Sequence, residues 1–329
     1  MHTRELVSVI TPAFNASAYL PETIESCLAQ THANLELLIV DDGSTDDTAE
    51  IARHYAALES RVRLFRIPNS GVAAARNVAV EHAAGEFLAL LDSDDVWMPD
   101  YLERQLRTLS DYAEEDVVTA NALNLGGRFH GEPLWPASTE IRQITLLDMI
   151  LREDAVHIFS VLRRAVFDRA GGFDKNFRGN EDYHFWLRAA AAGCRFIADF
   201  TPRGHYRRRP DSASADERRM LAGILRVFSD VRPQCPVGPE MDALDAQVRR
   251  FTTELLIAEA REHVLSGDPA AGLQCLARIP CADRGAVLSI LLAVGRVWPP
   301  LLSGSYRTKR TVREIKRRLS RRLDVRSTA

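Results

Sequence analysis

The sequence predicts an α/β protein: a mostly parallel central sheet with helices on both faces, followed by a smaller all-helical carboxyl-terminal region. Three observations carry this. Short apolar runs recur through the first hundred residues, at Leu6 to Ile10, Leu35 to Val40, Val62 to Ile67 and Phe87 to Leu91. They are apolar without alternation, the pattern of strands covered on both faces, and helical spacing fills the stretches between them. After Asp211 the pattern turns helical throughout. The expected parts are residues 1–214 for the α/β domain, 215–305 for the helical region and 306–329 for a basic tail.

The elements follow in order. After the first strand, Tyr19 to Leu28 repeats Leu20, Ile24 and Leu28 along one helical face. Ser44 and Thr45 are suited to cap the helix that follows Asp42, spanning Thr48 to Leu58. Asn69-Ser70-Gly71 breaks the chain before a helix over Val72 to Ala84. Gly126, Gly127, Gly131, Pro133 and Pro136 mark a loop from about residue 122 to 140. A strand over Val156 to Leu162, a helix near Arg164 to Ala170 and a turn at Gly171-Gly172 come next. A helix begins near Glu181 and ends at Gly193, and Arg195 to Phe200 and Pro202 to Arg208 are expected to close the sheet. Glu217 to Asp230, Met241 to Ser266 and Pro269 to Ala277 supply the later helices. Loops that follow parallel strands lie on the sheet's carboxyl edge, where open α/β sheets bind ligands.

Of 329 residues, 46% are hydrophobic and 26% charged, which excludes a disordered or fibrous chain. Five scattered cysteines without a C-x-x-C pair are expected to be free thiols in a reducing compartment. The amino terminus has no long apolar stretch, so a cytoplasmic location is expected. Residues 286–302 are apolar but interrupted by Arg296, Pro299 and Pro300, against a spanning helix. Residues 306–329 carry ten Lys and Arg against Glu314 and Asp324, a net +8 that leaves −11 on residues 1–305. Such a tail suits peripheral contact with anionic lipid at the inner face of the cell membrane, or a solvated helix. The acidic body disfavours nucleic acid.

Three clusters carry chemistry. Asp41-Asp42-Gly43 ends the second strand, where carboxylates either cap the next helix or accept hydrogen bonds from a base or ribose. Asp92-Ser93-Asp94-Asp95 closes the fourth. Alternation puts Asp92 and Asp94 on one side, about 6 to 7 Å apart. The choice is between a solvated acidic turn and a site for a hard divalent cation bridging to phosphate. Glu181 and Asp182 open a helix, either stabilised by its amino terminus or serving as a general base.

Read together, the stretches VSVITPAFNASAYLPETIESCLAQTHANLELLIVDDGSTDDT, NSGVAAARN, GEFLALLDSDDVW, GGFD and NEDYHFWLR resemble the inverting family 2 glycosyltransferases, over about residues 6 to 214. The resemblance implies the GT-A type of α/β domain and transfer of a sugar from a nucleotide-diphosphate donor to a saccharide or lipid-linked glycan. It implies that Pro12, Asp42 and Arg76 contact the base and nucleoside, and that Asp92 lies near ribose and metal. Asp94 is then the direct ligand of Mg2+ or Mn2+, and Asp182 the catalytic base, with Glu181 the alternative. One departure stands out: where the family often carries a His after Tyr-Arg-x, this chain has Arg209. Either Arg209 binds diphosphate oxygens or His205 takes the metal contact. The rival readings are a non-catalytic nucleotide-sugar binder and a sugar nucleotidyltransferase. The second lacks the glycine-rich basic loop it needs near the amino terminus. A dinucleotide-dependent oxidoreductase is a weaker rival still, since no G-x-G-x-x-G follows the first strand.

Overall fold

The computed structural model describes residues 5–209, 216–284 and Leu292. The expectations for the basic tail, and all but one residue of the apolar stretch 286–302, lie outside the described residues. Two compact units emerge, one from residues 5–209 with Arg226–Leu244, the other from Asp216–Leu225 with residues from 245 onward.

In the first unit, β1 (Val7–Ala13), β2 (Leu35–Asp41), β3 (Val62–Arg66) and β4 (Phe87–Leu90) are the four expected strands. They lie parallel in the order β3-β2-β1-β4, and β1 and β4 are buried along their whole length. The helices between them are α1 (Leu20–Leu28), α2 (Thr48–Leu58) and α3 (Val72–His82). Five further strands extend the sheet beyond β4. These are β5 (Val96–Trp97), β6 (Val117–Leu125), β7 (Ile141–Ile144), β8 (Ser160–Arg163) and β9 (Phe196–Arg207). Here pairing is mixed: β8 runs antiparallel to β4 and β6, while β6 and β9 are parallel. Antiparallel β5 and β7 both pair with β9. The unit's other helices are α4 (Tyr101–Asp111), α5 (Leu146–Leu151), α6 (Arg164–Ala170) and α7 (Glu181–Ala191).

Local details differ from the sequence expectation. Ser44 and Thr45 do not cap α2. Ser44 Oγ accepts from the Asn15 N–H at 3.0 Å and the Thr45 N–H donates to Asn15 Oδ1 at 2.9 Å, so both tie the β2 loop to the β1 loop. The two expected closing strands are one, β9, because the β6 pairing absorbs the irregularity near Asn121 by register shifts. The loop expected from residue 122 starts only after Leu125, because β6 runs on to that residue.

The later helices are α8 (Glu217–Val231), α9 (Pro239–Leu265) and α10 (Pro269–Ala277). Val227, Phe228 and Val231 are buried and belong to the α/β unit, where Phe228 meets Tyr183 edge to face at 6.0 Å. In the second unit Leu256, Ala260, Leu276, Ile279 and Leu292 form a small apolar core. Asp268 caps α10 by accepting from the Ala271 N–H at 2.9 Å. No helix among the described residues is long and apolar enough to cross a membrane. The cysteines are free, with Cys27 and Cys194 buried.

Candidate active site

The site is built around one buried cation. Arg76 enters from α3 and is 2% exposed. One guanidinium nitrogen donates to Asp92 Oδ1 at 2.8 Å, the other to Glu181 Oε1 at 2.6 Å. Burial opposes its charge, but Asp92, Glu181 and Asp182 together raise its pKa above the usual arginine value. The acidic turn after β4 and the first turn of α7 are therefore held side by side, although 89 residues separate Asp92 from Glu181 in the sequence. The guanidinium is enclosed between the two carboxylates and acts as a strut between them.

The strut separates the roles of Glu181 and Asp182. Glu181 is buried and spends an oxygen on Arg76. Asp182 is only half-buried and accepts the Tyr183 N–H at 2.8 Å. Burial and then the Glu181 charge push its pKa up to about 6, with Arg76 acting in the opposite direction. The preceding turn is under strain: Gly179 has φ 107° and Asn180, a non-glycine residue, sits at φ 57°.

The acidic turn divides its three aspartates. Asp95 faces inward, 1% exposed, and accepts the Arg207 N–H at 2.8 Å, which fastens the end of β9. Burial, then Asp94 and Asp92, raise its pKa well above the carboxylate range. Sequence reasoning counted Asp95 with the cluster; the structure gives it to the scaffold. Asp92 and Asp94 keep open side chains, 32% and 23% exposed. The Asp94 pKa is raised by burial and by Asp92, against the pull of Arg209 at 3.2 Å.

The cation expected at this turn is Mg2+ or Mn2+. Two partly open carboxylates that disfavour each other's charge suit a hard cation, and magnesium commonly uses one or two carboxylates together with substrate phosphate. Among the described residues no third His, Cys, Asp or Glu converges with them, so the remaining ligands would be phosphate oxygens and water. His205 lies in β9 opposite Val96, while Arg209 reaches Asp94.

On the nucleotide side, Pro12 is buried near the end of β1, in register with Val40. Asp42 is 4% exposed and its two oxygens accept the N–H groups of Ser70 at 2.7 Å and Gly71 at 2.8 Å. It thereby fixes the turn into α3, where Gly71 has φ 92°, a value that favours glycine. Phe14 was missed by the sequence reading: it follows β1 directly and is 48% exposed. The signal was an aromatic side chain just past a buried strand, next to Asn15 at φ 48°.

Residues 8–171 match the model of Glycosyl transferase family 2. The chain belongs to that family. TuaG of Bacillus subtilis strain 168, named for teichuronic acid biosynthesis, is 48% identical over 104 residues, 31% of this chain and 41% of its own length. The match thus spans about two fifths of that relative. The crystal structure of Staphylococcus aureus TarS residues 1–349 with UDP-GlcNAc superposes with a TM-score of 0.62 at 20% identity, covering 92% of this chain and 91% of that 1–349 fragment. The Pyrobaculum calidifontis mannosyltransferase PcManGT, in complex with GDP-Man and Mn2+, gives 0.58 at 22% identity, covering 94% and 84%. These likenesses establish the GT-A fold.

Proposed function

We propose that the protein transfers a sugar from a nucleotide-diphosphate donor to a hydroxyl of a saccharide or lipid-linked glycan, with inversion at the anomeric carbon. The observation that carries this is the Arg76 bridge from Asp92, which shares an acidic turn with the open Asp94, to Glu181, the neighbour of the half-buried Asp182. A cation-binding pair and a base of raised pKa then share one site, on a fold whose relatives were solved with UDP-GlcNAc, GDP-Man and Mn2+.

In the proposed step the acceptor oxygen attacks the anomeric carbon as the bond to the diphosphate breaks. Asp182 takes the acceptor proton and the nucleoside diphosphate leaves with the electron pair. Asp94 and Asp92 would hold Mg2+ or Mn2+, which supplies positive charge beside the leaving group. Arg209 would meet diphosphate oxygens, as guanidinium does well. Pro12 and Asp42 would underlie the nucleoside, since an ionised carboxylate keeps further lone pairs after two N–H bonds. Phe14 offers an exposed ring on which a base can stack.

The test is turnover with a panel of nucleotide sugars. Wild-type protein should release nucleoside diphosphate, and Asp182→Asn should lose about 10² to 10⁴ in kcat with donor binding intact. A non-catalytic nucleotide-sugar binder would bind the donor and release nothing. Wild-type activity in Asp182→Asn would remove the base from its assigned role.

A further inference from the structure

A cavity of about 590 Å³ opens beside the Asp94–Arg209 pair, lined by Tyr19, Leu125, Gly126, Gly127, His130 and Arg207 to Arg209. Three consecutive arginines on one cavity wall are unusual, because like charges repel unless something offsets them. Two of them are offset. Arg207 pairs with Glu22 at 2.5 Å and Arg209 with Asp94 at 3.2 Å, and both guanidinium groups lie 4.9 Å from the centre of the Tyr19 ring. Arg208 is different. It is exposed, its Nε donates to the neutral Asn124 Oδ1 at 2.7 Å, and its guanidinium lies over the Tyr206 ring at 4.6 Å. Among the described residues no carboxylate pairs with it.

His130 adds a donor to the same wall. Its Nδ1 accepts the Gly126 N–H at 3.0 Å, so in the neutral ring the proton is on Nε2. The Gly126-Gly127 turn lets this loop close onto the arginine strand: at Gly127, φ 66°, a Cβ would stand 3.3 Å from the Arg208 Cβ. The cavity is thus a built concavity with one uncompensated guanidinium and a second N–H donor, the equipment of an anion site. Tyr19 apart, its lining comes from the ends of β6 and β9 and the segments after them, whereas the expected nucleoside contacts Pro12 and Asp42 lie at the ends of β1 and β2.

We propose that this cavity binds an acidic group of the acceptor, a carboxylate or a phosphate, with Arg208 as its principal ligand and His130 Nε2 as a second donor. The inference rests on the glycosyltransferase reading and narrows its acceptor to an anionic glycan or glycan phosphate.

The test is calorimetry on the full chain with methyl β-D-glucuronide, glycerol 3-phosphate and neutral methyl β-D-glucoside, with UDP or GDP plus Mn2+ present to fill the donor site. The expected result is that a charged probe binds about tenfold or more tighter than the glucoside, the size of a charge-assisted hydrogen bond. Arg208→Gln should abolish that preference, Arg208→Lys should restore part of it, and nucleotide affinity should not change. The glucuronide and phosphate arms tell the two acidic groups apart. Equal binding of all three probes, an unchanged preference in Arg208→Gln, or displacement of the charged probes by the nucleotide would overturn the proposal. Failure of both nucleotides to bind wild type would instead count against the glycosyltransferase reading, and the probe series without nucleotide would still report on the cavity.

Discussion

Asp182 and Glu181 are adjacent carboxylates in one helical turn, yet they face opposite electrostatic problems. Glu181 has Arg76 at 2.6 Å, while Asp182 has Glu181 itself as a raising neighbour and a pKa near 6. A base must be ionised to accept a proton, so kcat/KM is expected to fall below an acid limb near pH 6. This is an apparent value of the coupled acidic group. A limb near pH 4 in a pH–rate profile would count against Asp182. The same shift acts on stability with a definite sign. A carboxyl with a folded pKa above its unfolded value favours the fold when protonated, and that advantage disappears as pH rises through about 6. Asp182→Asn should therefore raise stability at pH 8, by an amount on the order of 1 to 2 kcal/mol, and leave it nearly unchanged at pH 4, as read from urea titrations. Loss of activity with gain of stability is the signature of a functional group held at a cost, and a merely structural carboxylate would give the reverse. Asp95 supplies the contrast in the acidic turn. Its task is to accept the Arg207 N–H, which an amide oxygen also does, so Asp95→Asn should keep both fold and measurable activity. Asp94→Asn should instead abolish metal-dependent nucleotide binding in calorimetry.

At the scale of elements, the parallel strands β1 to β4 and the helices between them were legible because each is set by its own residues: a buried apolar run, a helical repeat, a glycine break. The loss began at Val96. A two-residue strand such as β5 has no period to detect, and it exists because β9 pairs with it. β7 is also invisible to an apolar count, since Ile141, Arg142 and Gln143 are exposed and only Ile144 is buried. Its place is fixed by the β9 pairing and by the capping box of Thr145 and Asp148 that starts α5. The acids of the site were legible as types in a pattern. Their partners were not, because Arg76 and Arg207 reach them from distant parts of the chain. α7 shows the same dependence on distant partners: His184, two residues from the proposed base and 1% exposed, stacks on Phe177 at 3.9 Å. Its Nε2 lies 2.8 Å from Asp230 of α8. Burial lowers the His184 pKa, so the neutral ring donates that hydrogen bond. Asp230→Ala leaves a buried donor without its acceptor and should destabilise the α/β unit by about 1 to 3 kcal/mol. Equal stability of the variant in urea would show that α7 does not need α8 as a support.

For the molecule as a whole, the proposed site makes stability conditional on ligands. Asp92 and Asp94 disfavour each other's charge, and a diphosphate placed near them alone would add to the repulsion. Nucleotide and metal should therefore each bind weakly alone and reinforce each other, a coupling that is reciprocal by thermodynamic necessity. A ligand that binds only the folded state at 100 times its Kd stabilises by about 2.7 kcal/mol, or about 5 to 10 °C in Tm for a domain of 150 to 250 residues. Three of the chain's four tryptophans, Trp97, Trp135 and Trp186, are buried in the α/β unit, so their share of the fluorescence reports that unit's unfolding. The expected pattern in a melt is a shift of that size with UDP or GDP plus Mn2+, and a much smaller one with nucleotide alone or Mn2+ alone. Asp94→Ala should remove the synergy and keep the ligand-free Tm close to wild type, because removing one of two repelling carboxylates relieves strain in the unliganded turn. A variant that lost the shift together with several degrees of its own Tm would show Asp94 to be holding the turn together, and additive shifts in wild type would separate the nucleotide from the two aspartates.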